Sequence, residues 1–288
     1  MRNIDATTIT PAFMARLSEC GNPRFKEIIT SLVTHVHDFA REVKLTEDEW
    51  MQGIQFLTAT GQKCDAKRQE FILLSDTIGL SMLVVAMNHA KPAGATEATV
   101  FGPFHVDDAP RVEQGADLAQ GAPGAPLFVD ARVLTLAGEP IANAEVDVWQ
   151  ADDDGLYDVQ RPELGETRRA RGVLQTDAQG RVRFRTVAPT AYPVPTDGPV
   201  GQLLLASGRH PWRPAHIHFR IRAADFQTLV THIFREGDPY LDSDVVFGVR
   251  SSLIGDYVRH DASTAPDGTA MREPFYTLTQ DFTLASAV

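Results

Sequence analysis

The hydrophobic pattern of this 288-residue chain changes its period partway along, and that change restricts the possible folds more than any other feature. Between Pro23 and Asn88 the apolar residues recur at helical spacing, as in amphipathic helices. From Leu127 onward apolar and polar residues alternate, as in strands with one buried face. The sequence therefore predicts an α-helical N-terminal part, residues 1–95, followed by an antiparallel β-sandwich, residues 96–288.

Three helices are predicted in the N-terminal part. The first runs from Pro23 to Lys44, and the second opens with a capping box in which Thr46 is followed by Glu49. The third, from about Lys67 to Asn88, is so apolar that most of its surface must be covered. The cover is either the core of the subunit or a second copy of the chain.

Composition excludes several classes of function. The formal net charge is −11 and no Lys/Arg-rich run occurs, so nucleic acid is not an expected partner. The two cysteines, Cys20 and Cys64, have no Cys-x-x-Cys spacing, which argues against a disulfide framework or a cysteine zinc site. No apolar run approaches the roughly 18 residues of a membrane span, and the N-terminus lacks an apolar signal core. We therefore expect a cytoplasmic protein.

The strand predicted at residues 216–221 carries the clearest chemical signal. His216, His218 and Arg220 alternate with apolar residues, so both imidazoles project from one face, close enough to share one ion. Two histidines on the wet face of a sheet, bound to nothing, would give the same pattern. A metal site here also needs further ligands.

Candidates for those further ligands are acidic residues and tyrosines. Most of the acidic residues between Asp147 and Asp177 fall in loops, where a solvated role is more common. Tyr157 follows an Asp-Asp-Gly-Leu segment, and Tyr192 lies in a proline-rich segment whose backbone is held extended. Taken alone, each tyrosine is more often a packed aromatic with a hydrogen-bonded hydroxyl.

Three motifs together resemble the intradiol ring-cleavage dioxygenases. They are Asp-Gly-Leu-Tyr-Asp around Tyr157, Pro-Thr-Ala-Tyr-Pro-Val-Pro around Tyr192, and Arg-Pro-Ala-His-Ile-His-Phe, which contains both histidines. The resemblance covers nearly the whole chain, including the helices and the segments 100–104 and 138–150. It implies that Tyr157, Tyr192, His216 and His218 bind Fe(III), one ion per subunit.

The implied ligand set suits ferric iron. Two phenolates neutralise most of the charge of this hard ion and favour the ferric over the ferrous state. Free tyrosine has a pKa near 10, so only a strong Lewis acid would hold both side chains as phenolates at neutral pH.

The resemblance also implies a reaction. An aromatic 1,2-diol is cleaved between its two hydroxylated carbons, both atoms of O2 enter the product, and no external reductant is needed. Tyr192 is expected to leave the metal when the diol binds, whereas Tyr157 stays bound. Arg213 is expected to stabilise negative charge that builds up near the substrate ring. A surface ion pair is its alternative role.

The segments 229–234 and 237–249 most resemble the family members that cleave hydroxyquinol, benzene-1,2,4-triol, to 3-hydroxy-cis,cis-muconate, the enol form of maleylacetate. Catechol-cleaving members commonly have Gln in the Thr-x-Ile segment, where this chain has His232. Asp76 is expected to accept a hydrogen bond from the third hydroxyl, with capping or pairing inside the helical part as its alternative role. Motif matching predicts a substrate pocket lined by Leu73, Asp76, Val100, Phe101, Gly102, Pro103, Phe104, Val194, Pro195, Arg213 and Val246.

Two other functions compete with this one. The same chemistry could act on catechol or chlorocatechol, which differ from hydroxyquinol only in the pocket shape they need. A non-catalytic β-sandwich binding module is the second alternative, but such a module needs neither the paired tyrosines nor Arg213. For assembly, the apolar stretch from Phe71 to Val85 is too hydrophobic for a helix with a solvated face and predicts a homodimer formed through the N-terminal helices. Relatives bind phospholipid at their dimer interface, so the resemblance raises the same expectation here.

Overall fold

The computed structural model describes residues 2–65 and 68–287. The chain divides into two compact units, residues 1–59 and 60–288. The first unit contains α1 (Ile9–Arg16), α2 (Pro23–Glu42) and most of α3 (Glu47–Gln62). The predicted capping box of α3 is confirmed, because the Glu49 amide donates to Thr46 Oγ1 and the Thr46 amide donates to Glu49 Oε2.

The predicted third helix is wrong in its continuity, and its predicted first residue, Lys67, lies outside the described residues. Two helices, α4 (Glu70–Thr77) and α5 (Leu80–Asn88), meet at an angle of 75°. Gly79 has a φ of 81° between them, a conformation that glycine adopts without strain. No single helix of the described residues is long and apolar enough to span a membrane, although the bent pair α4–α5 passes that test by length and composition.

Much of the apolar surface of α5 is not covered within the subunit. Met82 is buried, but Leu83 is 56% exposed and Met87 is 72% exposed. The expectation that this stretch is covered on most sides is therefore not met by the chain alone.

The second unit is built mainly from two sheets, with strand orders β10-β11-β1-β4 and β3-β2-β7-β8-β9. Their inner faces share one apolar core, in which Phe219 of one sheet contacts Phe282 of the other with ring centroids 4.7 Å apart. Between β4 and β7 the chain forms a short helix, α6 (Pro199–Ala206), and a separate two-stranded sheet, β5-β6, which belong to neither of the two main sheets. The strands are β1 (Pro126–Thr135), β2 (Glu145–Gln150), β3 (Arg171–Gln175), β4 (Arg181–Val187), β5 (Tyr192–Pro193), β6 (Trp212–Arg213), β7 (His216–Arg222), β8 (Leu229–Arg235), β9 (Ile254–Gly255), β10 (Val258–His260) and β11 (Phe275–Leu284).

The predicted fold class, N-terminal helices followed by a β-sandwich, is confirmed. Most neighbouring strands are antiparallel, but β1 pairs with β11 and β8 pairs with β9 in parallel, so both sheets are mixed. Alternation of apolar and polar residues reports which face is buried, and it carries no information about strand direction.

The outer face of the five-stranded sheet positions the functional residues. On β7 the side chains of Ile217, Phe219 and Ile221 belong to the sandwich core. Successive side chains on a strand point to opposite faces, so His216 and His218 project from the other side. Both histidines are nonetheless buried, at 1% exposure each, because other segments cover this face.

Candidate metal centre and adjoining cavity

Strand pairing places three aromatic side chains side by side across the outer face of the sheet. Trp149 of β2 is paired with His218 of β7, and His218 is paired in turn with His232 of β8. The ring of Trp149 stacks on that of His218, with centroids 4.7 Å apart and an interplanar angle of 16°. His232 meets the same ring edge-on, with centroids 4.1 Å apart.

Tyr192 and Tyr157 reach this face from outside the sheet. Tyr192 lies in β5, where it is paired with Arg213 of β6. Tyr157 comes from the loop after β2, and Phe104 stacks on its ring with centroids 4.5 Å apart. The next residue, Asp158, forms a buried ion pair with Arg171, which also donates to the Phe104 carbonyl oxygen at 3.1 Å. This pair ties the segment that carries Tyr157 to its stacking partner.

The four predicted ligands converge on one point. Tyr157 Oη lies 2.9 Å from His218 Nε2 and 3.2 Å from Tyr192 Oη. His216 Nε2 lies 3.1 Å from His218 Nε2. Donor atoms bound at about 2.0–2.1 Å to one ion lie about 3 Å from each other, so these spacings fit a single metal ion.

The protonation states that burial imposes also fit a cation. His216 Nδ1 lies 2.7 Å from the Pro214 carbonyl oxygen, which only accepts, so Nδ1 carries the proton and Nε2 has its lone pair free. Burial and the nearby Arg213 lower the pKa of His216 to about 3. Burial and the neighbouring Tyr192 raise the pKa of Tyr157 well above its usual value, so a phenolate there requires a cation.

Arg213 lies beside the four ligands and is held there by Asp244. Its Nε and Nη2 atoms donate to the two carboxylate oxygens of Asp244 at 3.1 and 3.3 Å, and Nη1 lies 3.2 Å from His216 Nε2. Burial alone would lower the pKa of Arg213, but the Asp244 carboxylate more than offsets this and raises it. Both side chains are nearly inaccessible, at 4% and 2% exposure, so the pair is a desolvated one.

His232 is the third histidine of this cluster, and it differs from the other two. One nitrogen from each of His216, His218 and His232 lies within 4.8 Å of the others. The His232 side chain is fully buried, and neither of its ring nitrogens has a hydrogen-bond partner among the described residues. Burial and the neighbouring histidines lower the pKa of His232 well below its usual value, so the ring is neutral.

A cavity of 950 Å³ adjoins the four ligands. Tyr192 and Arg213 form part of its wall, whereas Tyr157 does not. All the predicted pocket residues except Phe101 line this cavity: Leu73, Asp76, Val100, Gly102, Pro103, Phe104, Val194, Pro195, Arg213 and Val246. The Phe101 side chain instead packs against His105 and Trp149, with its ring centroid 4.7 Å from that of His105 and 5.7 Å from that of Trp149.

Asp76 is the buried carboxylate of the cavity wall, at 8% exposure. Burial raises its pKa, while the Ser81 side chain and the charge of Arg213 act in the opposite direction. No salt bridge to Asp76 occurs among the described residues, and a carboxylate on the cavity wall is a group that can accept a hydrogen bond from a ligand.

The sequence does not predict the role of Asp244 or of Trp149, and it connects His232 with the choice of substrate but not with a position in the site. Asp244 lies in a loop, 31 positions after its partner Arg213. The segment 237–249 matches the family only as a whole, and nothing in it singles out Asp244 as the partner of Arg213. Trp149 and His232 could have been found from strand register, because both pair directly with His218.

Comparison with known proteins identifies close relatives. Residues 100–285 match the family model described as "Dioxygenase", and residues 22–96 match "Catechol dioxygenase N terminus". The chain is 61% identical over 264 residues to 6-chlorohydroxyquinol 1,2-dioxygenase of Cupriavidus pinatubonensis, covering 92% of this chain and 95% of that one. It is 49% identical over 273 residues to hydroxyquinol 1,2-dioxygenase of a Rhizobium species, covering 94% and 92%.

The solved structures agree with these relatives. The structure of hydroxyquinol 1,2-dioxygenase from Pseudomonas putida superimposes with a TM-score of 0.91 at 47% identity, covering 98% of this chain and 99% of that one. The helices and the sandwich are thus both shared with that enzyme.

Proposed function

Because the chain belongs to the intradiol ring-cleavage dioxygenase family, we propose that it cleaves hydroxyquinol with O2 to 3-hydroxy-cis,cis-muconate. The observation that carries the proposal is the convergence of two phenol oxygens and two imidazole nitrogens beside a cavity that also contains Arg213 and Asp76. The names of the relatives point to the same substrate class.

We propose Tyr157, Tyr192, His216 and His218 as the ligands of one Fe(III) per subunit. Bound there, ferric iron would supply the Lewis acidity that ionises the diol and makes its ring reactive toward O2. Tyr192 is the ligand suited to leave, because it is part of the cavity wall and is 7% exposed. Tyr157 is fully buried under Phe104 and is suited to stay.

The remaining residues of the cavity bind and orient the substrate. Arg213 presents its guanidinium where negative charge develops on the ring, and its buried pairing with Asp244 keeps it in place without reorganisation. An apolar cluster that includes Val100, Val194 and Val246 lies along the cavity and excludes water from the ring. Asp76 accepts a hydrogen bond from the third hydroxyl, which would otherwise be unpaired in apolar surroundings.

A substrate panel tests this proposal. Oxygen uptake by the purified enzyme would be measured with hydroxyquinol, 6-chlorohydroxyquinol, catechol and 4-chlorocatechol. We expect the highest kcat/KM with a hydroxyquinol, and an equal or higher value with catechol would favour catechol as the substrate instead. The 6-chloro compound belongs in the panel because the relative at 61% identity is named for it.

For assembly, we propose a homodimer in which the N-terminal helices of two subunits meet. On α2 a stripe at helical spacing is exposed, with Leu32 at 54% and Phe39 at 54%. Exposed apolar stripes of this kind mark interfaces. Phospholipid at that interface, a division between helical and catalytic domains after residue 95, and a cytoplasmic location remain parts of the proposal. Native mass spectrometry of the dimer tests the lipid directly.

A further inference from the structure

The two histidines of the candidate metal centre are held in position in different ways. His216 is oriented by a hydrogen bond from its Nδ1 to the Pro214 carbonyl oxygen, at 2.7 Å. Such a bond is the usual way in which a metal-binding histidine is fixed. The corresponding atom of His218, its Nδ1, is buried and has no hydrogen-bond partner among residues 2–65 and 68–287.

Three neighbours surround the His218 ring in place of that bond. Trp149 covers one face, with its ring 16° from parallel. Gly102 lies against the ring edge, because a Cβ atom built on Gly102 would be 2.8 Å from His218 Cε1. His232 meets the ring with its own edge, at an interplanar angle of 84°. We call Gly102, Trp149 and His232 the His218 cage.

His232 is better suited to this cage than to metal binding. Neither of its ring nitrogens has a hydrogen-bond partner among the described residues, whereas contacts of 2.9–3.2 Å link the four converging ligands. The ring is not part of the cavity wall.

We propose that the His218 cage, and not a hydrogen bond, holds His218 in its metal-binding orientation, and that His232 acts as a positioning residue through its ring edge. This inference rests on the proposed assignment of His218 as an iron ligand. Both ring nitrogens of His232 are buried and unpaired among the described residues. In this proposal His232 orients His218 through the shape of its ring and not through its hydrogen-bonding capacity.

The first test separates shape from hydrogen bonding at residue 232. His232→Phe keeps an aromatic edge without nitrogens, His232→Gln keeps hydrogen-bonding groups without a ring, and His232→Ala keeps neither. Iron affinity would be measured in each holoenzyme by competition with a chelator, together with the rhombicity of the ferric EPR signal. His260→Ala is the matched control, because His260 also stacks on an aromatic ring, that of Phe275.

We expect His232→Phe to keep the iron affinity and the EPR signal of the wild type. His232→Ala and His232→Gln should each lose iron affinity by about 10–100-fold, the range found when the groups that orient metal ligands are removed. Retention by Gln with loss by Phe would overturn the cage in favour of a hydrogen bond. Unchanged affinity in His232→Ala would overturn it as well.

A second test covers the case in which the His232 variants do not fold. Gly102→Ala places a methyl group against His218, whereas Gly115→Ala has no atom within 4 Å of the new Cβ. The two glycines have nearly equal φ angles, 79° and 82°, so the backbone strain of the two substitutions is matched. We expect only Gly102→Ala to lose iron affinity, and equal affinity in the two variants would overturn the cage.

The wild-type protein in the same experiment separates this inference from the proposed function. A wild type that binds no iron contradicts the proposed function itself. A wild type that binds iron with an EPR signal that none of the cage substitutions alters contradicts only the cage.

Discussion

Arg213 and Asp244 form a buried ion pair in which both carboxylate oxygens of Asp244 accept from the guanidinium. The same two oxygens accept the backbone N–H groups of Val246, at 3.3 Å, and Gly248, at 2.9 Å. The Asp244 carboxylate therefore connects the Arg213 guanidinium to the loop that contains Val246, a residue of the cavity wall.

The first prediction concerns catalysis by the Asp244→Asn variant. The amide keeps the shape of the carboxylate but loses its charge and one acceptor, so Arg213 is held less well where charge develops. We expect kcat to fall by about 10–100-fold, less than the roughly 10²–10³ lost when a charge-stabilising donor is deleted outright. Iron content should be unchanged. Steady-state kinetics with Asp242→Asn, an exposed neighbour, as control would check this.

The second prediction concerns the pH dependence of stability. Burial would raise the pKa of Asp244, but the charge of Arg213 dominates and lowers it below the ordinary 3.8. The carboxylate therefore stabilises the folded protein fully above pH 3.8, and this stabilisation is lost as the pH falls through the lowered pKa. At pH 7 we expect Asp244→Asn to cost up to about 3–5 kcal/mol in free energy of unfolding. Urea melts of both proteins should converge below pH 3.8, and a constant gap would contradict the prediction.

The third prediction distinguishes the two tyrosines by their burial. The wild type should be red to burgundy from phenolate-to-Fe(III) charge transfer. Tyr157→Phe should lose both colour and iron, because the phenol it removes is fully buried among the other ligands. Tyr192→Phe should keep more iron, since Tyr192 borders the cavity and is the ligand proposed to leave when a diol binds. Iron analysis and visible spectra give the comparison, and a colourless, iron-replete, active wild type would refute it.

The fourth prediction concerns Asp76 and the choice of substrate. In Asp76→Ala the third hydroxyl of hydroxyquinol loses its acceptor, at a cost of about 1–3 kcal/mol, whereas catechol loses nothing. The ratio of kcat/KM for hydroxyquinol to that for catechol should therefore fall by roughly 5–150-fold. Catechol is the internal control for folding and iron binding. An unchanged ratio would assign Asp76 to a structural role.

The fifth prediction concerns the proposed dimer. Leu32→Glu combined with Phe39→Glu places two charges on the exposed stripe of α2 and should release monomers. Ser31→Glu adds a charge at an exposed polar position of the same helix and should leave the dimer intact. Multi-angle light scattering at micromolar concentration measures both. A wild-type protein that is already monomeric at this concentration would contradict the proposed dimer.

The parts of this molecule that sequence predicts are those encoded by local periodicity or by motif. Alternation along β7 gives the common face of His216 and His218, and the capping box gives the start of α3. The break between α4 and α5 was missed because Gly79 is the only local sign of it.

Long-range partners are harder to predict from sequence. Arg213 and Asp244 are 31 positions apart, and their pairing depends on the path of the loop that contains Asp244. Phe101 belongs to the same motif as its pocket-lining neighbours, yet its side chain packs on His105 and Trp149. A motif gives the path of the backbone, but it does not give the direction in which each side chain points.

The alternation along β7 has a consequence for how the enzyme matures. A slip of one residue in the pairing of β7 would bring His216 and His218 into the core and expose Ile217 and Phe219. Burial of the core therefore selects the same register that assembles the two imidazoles. The polypeptide can thus complete this half of the site as it folds. Under the proposed function, loading of the metal would then be a late step that does not have to guide folding.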